Sequence, residues 1–111
     1  MAAQTVLVMV QKIKALKAEP LSPEELQMRN SFIRMVMNKE KHAQLCEEEL
    51  VTLWVDYFKP EHLEKFPDLH DTFWKATKLC AKNMQSIDED LAQELVDSVN
   101  HIADMFAETK K

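Results

Sequence analysis

Apolar residues recur along this chain at intervals of three and four from near one end to near the other, the period of helices that each bury one face. Val6, Met9, Val10, Ile13 and Leu16 share one side of a first helix, read from about Ala3 to Lys17. Its β-branched opening would also suit a strand, but no other segment offers a partner. An isolated strand would leave its backbone hydrogen bonds unmade. Glu19-Pro20 ends the helix, because the residue before a proline is pushed out of helical ψ.

Ser22-Pro23-Glu24-Glu25 combines a serine cap, a proline at the first helical position and a glutamate that completes a capping box, so a second helix starts there. Its apolar positions, Leu26, Met28, Phe32, Ile33, Met35, Val36 and Met37, cover more than half its circumference. This predicts the most buried helix of the fold, with Arg29 inside the apolar arc. Asn38-Lys39-Glu40-Lys41-His42 resembles the basic end of a helix and Glu47-Glu48-Glu49 the acidic start of another, which predicts a break between residues 38 and 46.

A third helix then carries Cys46, Leu50, Leu53, Trp54, Tyr57 and Phe58 on one face, with Trp54 in the core. Pro60 and Pro67 bracket a turn that has room for one short helix containing Leu63 and Phe66. Pro67 opens a fourth helix striped by Leu69, Phe73, Ala76, Cys80 and Met84, with Lys75, Lys78 and Lys82 on the far side. Ser86-Ile87-Asp88-Glu89 is a second capping box, and the last helix runs from it to about Glu108. The expected architecture is all-α: one domain, residues 1–111, a compact bundle of four to five helices joined by short proline-marked turns.

Composition changes this picture mainly by what is missing. None of the 111 residues is glycine, where ordinary usage predicts about eight. Phosphate-cradling loops, the dinucleotide-binding turn and the nucleophile elbow all need glycine, so those chemistries are excluded and no cofactor is expected from motifs. Cys46 and Cys80 belong to no metal or redox spacing and read as small buried hydrophobes in a reducing, intracellular, cytoplasmic setting, although a bridge between them is conceivable. The run Val6 to Val10 lacks the leader and length of a secretory signal, no stretch is long enough to span a membrane, and no lipidation pattern is present.

Charge is uneven, with seven Lys/Arg against four Asp/Glu in residues 1–42 and seven against fifteen in residues 43–111. Only two arginines occur and aromatics are not interleaved with the basic residues, so no specific nucleic-acid binding is expected. On the last helix Asp90, Glu94, Asp97, His101, Asp104 and Glu108 fall in one stripe opposite the apolar face. Its plain reading is a solvated face. As a contact surface it would meet a partner with a basic surface or the Lys75, Lys78, Lys82 row, and as chemistry it would offer Asp97, His101 and Asp104 to a divalent metal.

Trp74, about 100° from the centre line of its helix, is a candidate contact anchor, and Met28 and Met35 are candidate adaptable contacts. These residues together favour a non-catalytic regulatory or adaptor protein that binds a protein partner through helical surfaces. The alternatives are a small enzyme or metal-binding protein using the acidic and histidine face, and a homo-oligomer assembled through the apolar excess of helices two and three.

Overall fold

A computed structural model of the chain describes residues 2–15 and 22–111, and in it Ser22 caps a helix as the sequence requires. The Ser22 hydroxyl accepts from the Glu25 N–H at 3.3 Å, and Glu25 Oε2 accepts from the Ser22 N–H at 2.9 Å. Both donors at the helix start are thereby satisfied reciprocally. The described residues form five α-helices: α1 (Ala2–Ala15), α2 (Pro23–Thr52), α3 (Pro60–Lys65), α4 (Leu69–Gln85) and α5 (Glu89–Thr109). A π-helical turn, Leu53–Tyr57, continues α2. No strand occurs among the described residues, so the all-α reading holds. The expected end of the first helix at Lys17 and its stop at Glu19-Pro20 lie outside the described residues.

Four helices close a ring in which α1 packs on α2, α2 on α4, α4 on α5 and α5 on α1. Each contributes a stripe to one core: Val6 and Val10, then Ala43, Cys46 and Leu50, then Leu69, Phe73 and Ala76, then Leu95 and Ile102. The short α3 bridges the π-turn and α4, and Pro60 stands at its first position.

The predicted break between residues 38 and 46 is absent, and α2 runs unbroken for 30 residues. Lys39, which the sequence suggests is the basic end of a helix, sits in the middle of this one at 1% exposure. Its Nζ donates to the backbone oxygens of Met84 at 3.3 Å and Ser86 at 2.5 Å, so the lysine serves the carboxyl end of α4 rather than its own helix. Helix ends leave carbonyls without partners and carry partial negative charge, which a cation satisfies on both counts. Asn83 completes the corner, donating from Nδ2 to Leu79 O at 2.8 Å and Leu91 O at 3.1 Å, and the Ser86 hydroxyl donates to Lys82 O at 2.6 Å.

Two further expectations change. Ser86 does not cap the last helix; Asp88 does, its Oδ1 accepting from Asp90 N at 2.9 Å and Leu91 N at 3.2 Å. Ser86 is occupied with the preceding helix, and a carboxylate at the next available position takes the free amides. Pro67 lies in a turn just ahead of α4, which begins at Leu69.

The second helix is also not the most buried. Its buried residues, Lys39, Ala43, Cys46 and Leu50, all lie in its second half. Leu26 (59%), Ile33 (56%) and Met37 (64%) are exposed, and Met28 and Phe32 are exposed as well. At 1.5 Å per residue α2 is about 45 Å long against about 25 Å for α4, so its first turns run past the bundle. The Cα radius of gyration of 17.0 Å reflects this overhang, since a compact domain of this length would have about 13 Å.

Replacing Lys39 by methionine keeps the packing volume but orphans the Met84 and Ser86 carbonyls, and is expected to cost about 2 kcal/mol in denaturant unfolding. Burial holds the Lys39 ammonium below the usual 10.5, with Glu40 partly opposing the shift. The unfolded chain therefore binds this proton more readily than the folded one. The native protein should gain stability as pH rises through the alkaline window below 10.5, and the K39M variant should lack that gain.

Candidate functional site

The π-turn brings Trp54, Tyr57 and Phe58 against aromatic residues of α3, α4 and α5 at one end of the bundle. A π-turn shifts the angular phase of the side chains that follow it, and such turns recur where side chains must be re-aimed for function. Here Trp54 stacks on Phe73 of α4 with ring centroids 5.7 Å apart, and its Nε1–H donates to His70 Nδ1 at 2.9 Å. Trp54 is half-buried rather than a core residue as expected, because its indole N–H must reach that imidazole at the surface.

Tyr57 packs on Phe106 and stacks on His62, and its hydroxyl lies 2.6 Å from Thr109 Oγ1. His62 Nδ1 accepts from the Lys59 N–H at 3.0 Å, closing the start of α3. The Lys110 ammonium lies over both Phe106 and Tyr57, 5.0 and 5.7 Å from the ring centroids. Nearby Glu108 is held below the usual carboxylate range by Lys111 and then by Lys65. His62 thus finds its partners locally, in Lys59 and Tyr57, whereas His70 meets Trp54 only when the turn and α4 come together.

A second constellation lies inside the bundle. Cys46 of α2 and Cys80 of α4 are free, buried thiols of one core cluster. Their expected role as buried residues is met, although their proximity could not be read from spacing.

The acidic stripe falls where the helical period places it. Asp90, Glu94, Asp97, His101 and Asp104 are all exposed along α5. Asp97 Oδ1 accepts from Gln93 Nε2 at 3.0 Å, within its own helix. Among the described residues no ion pair joins the stripe to Lys75, Lys78 or Lys82; Lys75 instead pairs with Asp71 at 2.8 Å. Nor do any three His, Cys, Asp or Glu side chains among the described residues converge as metal ligands, so Asp97, His101 and Asp104 do not form the metal site considered from sequence. A single helix face splays its side chains and needs a second element to close such a site. Trp74 is 53% exposed, with the Lys78 ammonium 5.4 Å from its ring centroid. Met28 is exposed and Met35 half-buried on the overhanging part of α2.

Comparison with known proteins gives a consistent result. The profile of the family described as nickel-containing superoxide dismutase matches residues 1–110. A superoxide dismutase [Ni] of Streptomyces seoulensis is 34% identical over 101 residues, covering 91% of this chain and 75% of that protein. Its counterpart from Streptomyces coelicolor is 37% identical over 78 residues, covering 70% of this chain and 60% of that one. The native structure of a nickel superoxide dismutase superposes with a TM-score of 0.82 at 30% identity, over 99% of this chain and 86% of the other.

These matches overturn the expectation of a non-catalytic regulatory or adaptor protein, and with it the expectation that the chain is not an enzyme. The proteins it resembles are oxidoreductases. The exclusion drawn from missing glycine was sound only for phosphate and acyl-transfer sites; a redox metal needs donor atoms, and those require no glycine loop.

Within α5, Glu94 stands one turn from both Asp90 and Asp97, and like charges at that spacing weaken a helix. Glu94→Gln is expected to raise the melting temperature slightly at low ionic strength, with the gain vanishing in high salt when both are followed by circular dichroism.

Proposed function

Since the chain belongs to the nickel-containing superoxide dismutase family, we propose that it is the helical body of an enzyme that disproportionates superoxide. In that reaction two superoxide radicals and two protons give dioxygen and hydrogen peroxide. The observation that carries this reading is the extent of the likeness, which reaches 91% of the chain in sequence and 99% in structure.

Nickel takes sets of thiolate, imidazole, amide or carboxylate donors in a defined geometry. The described residues offer no such set, since no three candidate ligands converge. The two thiols are buried in the core, and His62 and His70 each commit Nδ1 to a hydrogen bond. The described residues therefore do not fit nickel, and no step of the reaction is assigned to them. Donors for the metal are to be sought outside them.

The apolar flank of α2 supports a second element of the proposal, a homo-oligomer. Leu26, Ile33 and Met37 form an exposed row along the first half of α2, and a second copy of the chain would cover it. No helix among the described residues is long and apolar enough to cross a membrane. The free thiols suit a reducing, intracellular setting.

Protein isolated from its native cells should contain nickel in stoichiometric amount, measured by mass spectrometry of the metal, and should accelerate superoxide decay until a chelator removes the nickel. Nickel-free protein with no effect on superoxide would overturn the reading. Light scattering of the same material is expected to show an oligomer, which the double change Ile33→Glu and Met37→Glu should dissociate without loss of helix content.

A further inference from the structure

Cys46 and Cys80 are the only cysteines of the chain, and the proposed dismutation does not use them. They stand on neighbouring helices of the ring and in one core cluster, between the Lys39–Met84 contact on one side and the Trp54–Phe73 stack on the other, which set them at the same height. We propose that these two thiols are a redox pair which hydrogen peroxide closes into a disulfide between α2 and α4.

Access distinguishes the two. Cys46 lines a groove of about 240 Å³ with Glu49, Leu53, Val99 and Ala103, whereas Cys80 is wholly enclosed behind it. Peroxide arriving through the groove meets Cys46 first. The electrostatics agree with that order: the neighbouring Cys80 thiol holds Cys46 below its usual range against the opposing effects of burial, Glu49 and Glu47, while Cys80 is pushed far above that range. Cys46 is thus the attacking sulfur and Cys80 the resolving one.

In the first step the Cys46 thiolate attacks one peroxide oxygen, the O–O bond breaks, hydroxide leaves and a sulfenic acid forms. The Cys80 sulfur then attacks the Cys46 sulfur. The S–S bond forms as the S–O bond breaks, and the departing hydroxide takes up the Cys80 proton as water. In sum, two thiols are oxidised and one hydrogen peroxide is reduced, giving one disulfide and two waters. The enclosed neighbour intercepts the sulfenic acid before a second peroxide can carry it to the irreversible sulfinic state. Peroxide is also the product of the reaction proposed above, but the pair's chemistry needs only the oxidant and stands independently of that reading.

The test treats the folded, reduced chain with hydrogen peroxide, removes the excess, denatures, alkylates and maps the peptides. The expected result is an intact mass lower by two hydrogens, no alkylated cysteine, a linked Cys46–Cys80 peptide and full reversal by dithiothreitol. A rise of several degrees in melting temperature should accompany it, because the link constrains the unfolded chain. Cys80→Ala should instead accumulate oxygen adducts on Cys46, and Cys46→Ala should leave Cys80 unmodified at the same dose. Because a change at either buried site can unfold the chain, the map of the unaltered protein decides. Two thiols still open to alkylation, oxygen adducts without a linked peptide, or links only between separate chains would each overturn the proposal. Nickel content and superoxide decay do not enter the readout.

Discussion

One buried ammonium group sets the geometry of this bundle. Lys39, from the middle of α2, donates to the Met84 and Ser86 carbonyls where α4 ends and the chain turns toward α5. Many proteins end a helix with a glycine in the left-handed conformation, and this chain has none. No described residue adopts positive φ. The corner is instead held by side chains: Lys39 from across the core, Asn83 from the last turn of α4 and Ser86 beside it. A cation at that position also opposes the partial negative charge of the helix end, so its burial needs no carboxylate partner. The same contact explains why α2 does not break near residue 40, since a bend there would swing Lys39 off the carbonyls and leave both ends of the contact buried and unsatisfied.

The remaining long-range features follow from α2 being continuous. Its second half lies in the core and its first turns overhang, leaving an apolar row on the surface of the first half. At its carboxyl end the helix widens into a π-turn, and the aromatic side chains that follow are redirected onto α4 and α5. Trp54 then meets both Phe73 and His70, while Tyr57 meets Phe106 and His62. Within the core the shared register of α2 and α4 places Cys46 beside Cys80. These contacts belong to one rigid pairing of two helices.

The functional lesson concerns what an absence can exclude. Missing glycine removes chemistries that depend on a backbone curled around a phosphate or an oxyanion. It says nothing about a metal whose binding depends on donor atoms alone. The chain belongs to a family named for such a metal, yet the described residues gather no set of donors for one: charged stripes lie in solvent, aromatic residues pack in pairs, and the two thiols are buried in the core. The acidic and histidine stripe of α5, which drew notice as chemistry from sequence, is held apart by the straightness of the helix that carries it.

The helical character of the segments, the all-α class, the Ser22 cap, the short helix after Pro60 and the exposed line from Asp90 to Asp104 were legible in the sequence. Each depends on residues within one or two turns of each other, where the helical period and local capping act. The destination of Lys39, the pairing of Cys46 with Cys80, the contact between Trp54 and His70, and the exposure of Ile33 and Met37 were not. Those depend on which helix lies alongside which, and at what height. Apolar periodicity specifies that a face is buried, but not the face it is buried against. Only the packed bundle supplies that, because it alone brings together groups separated by tens of residues.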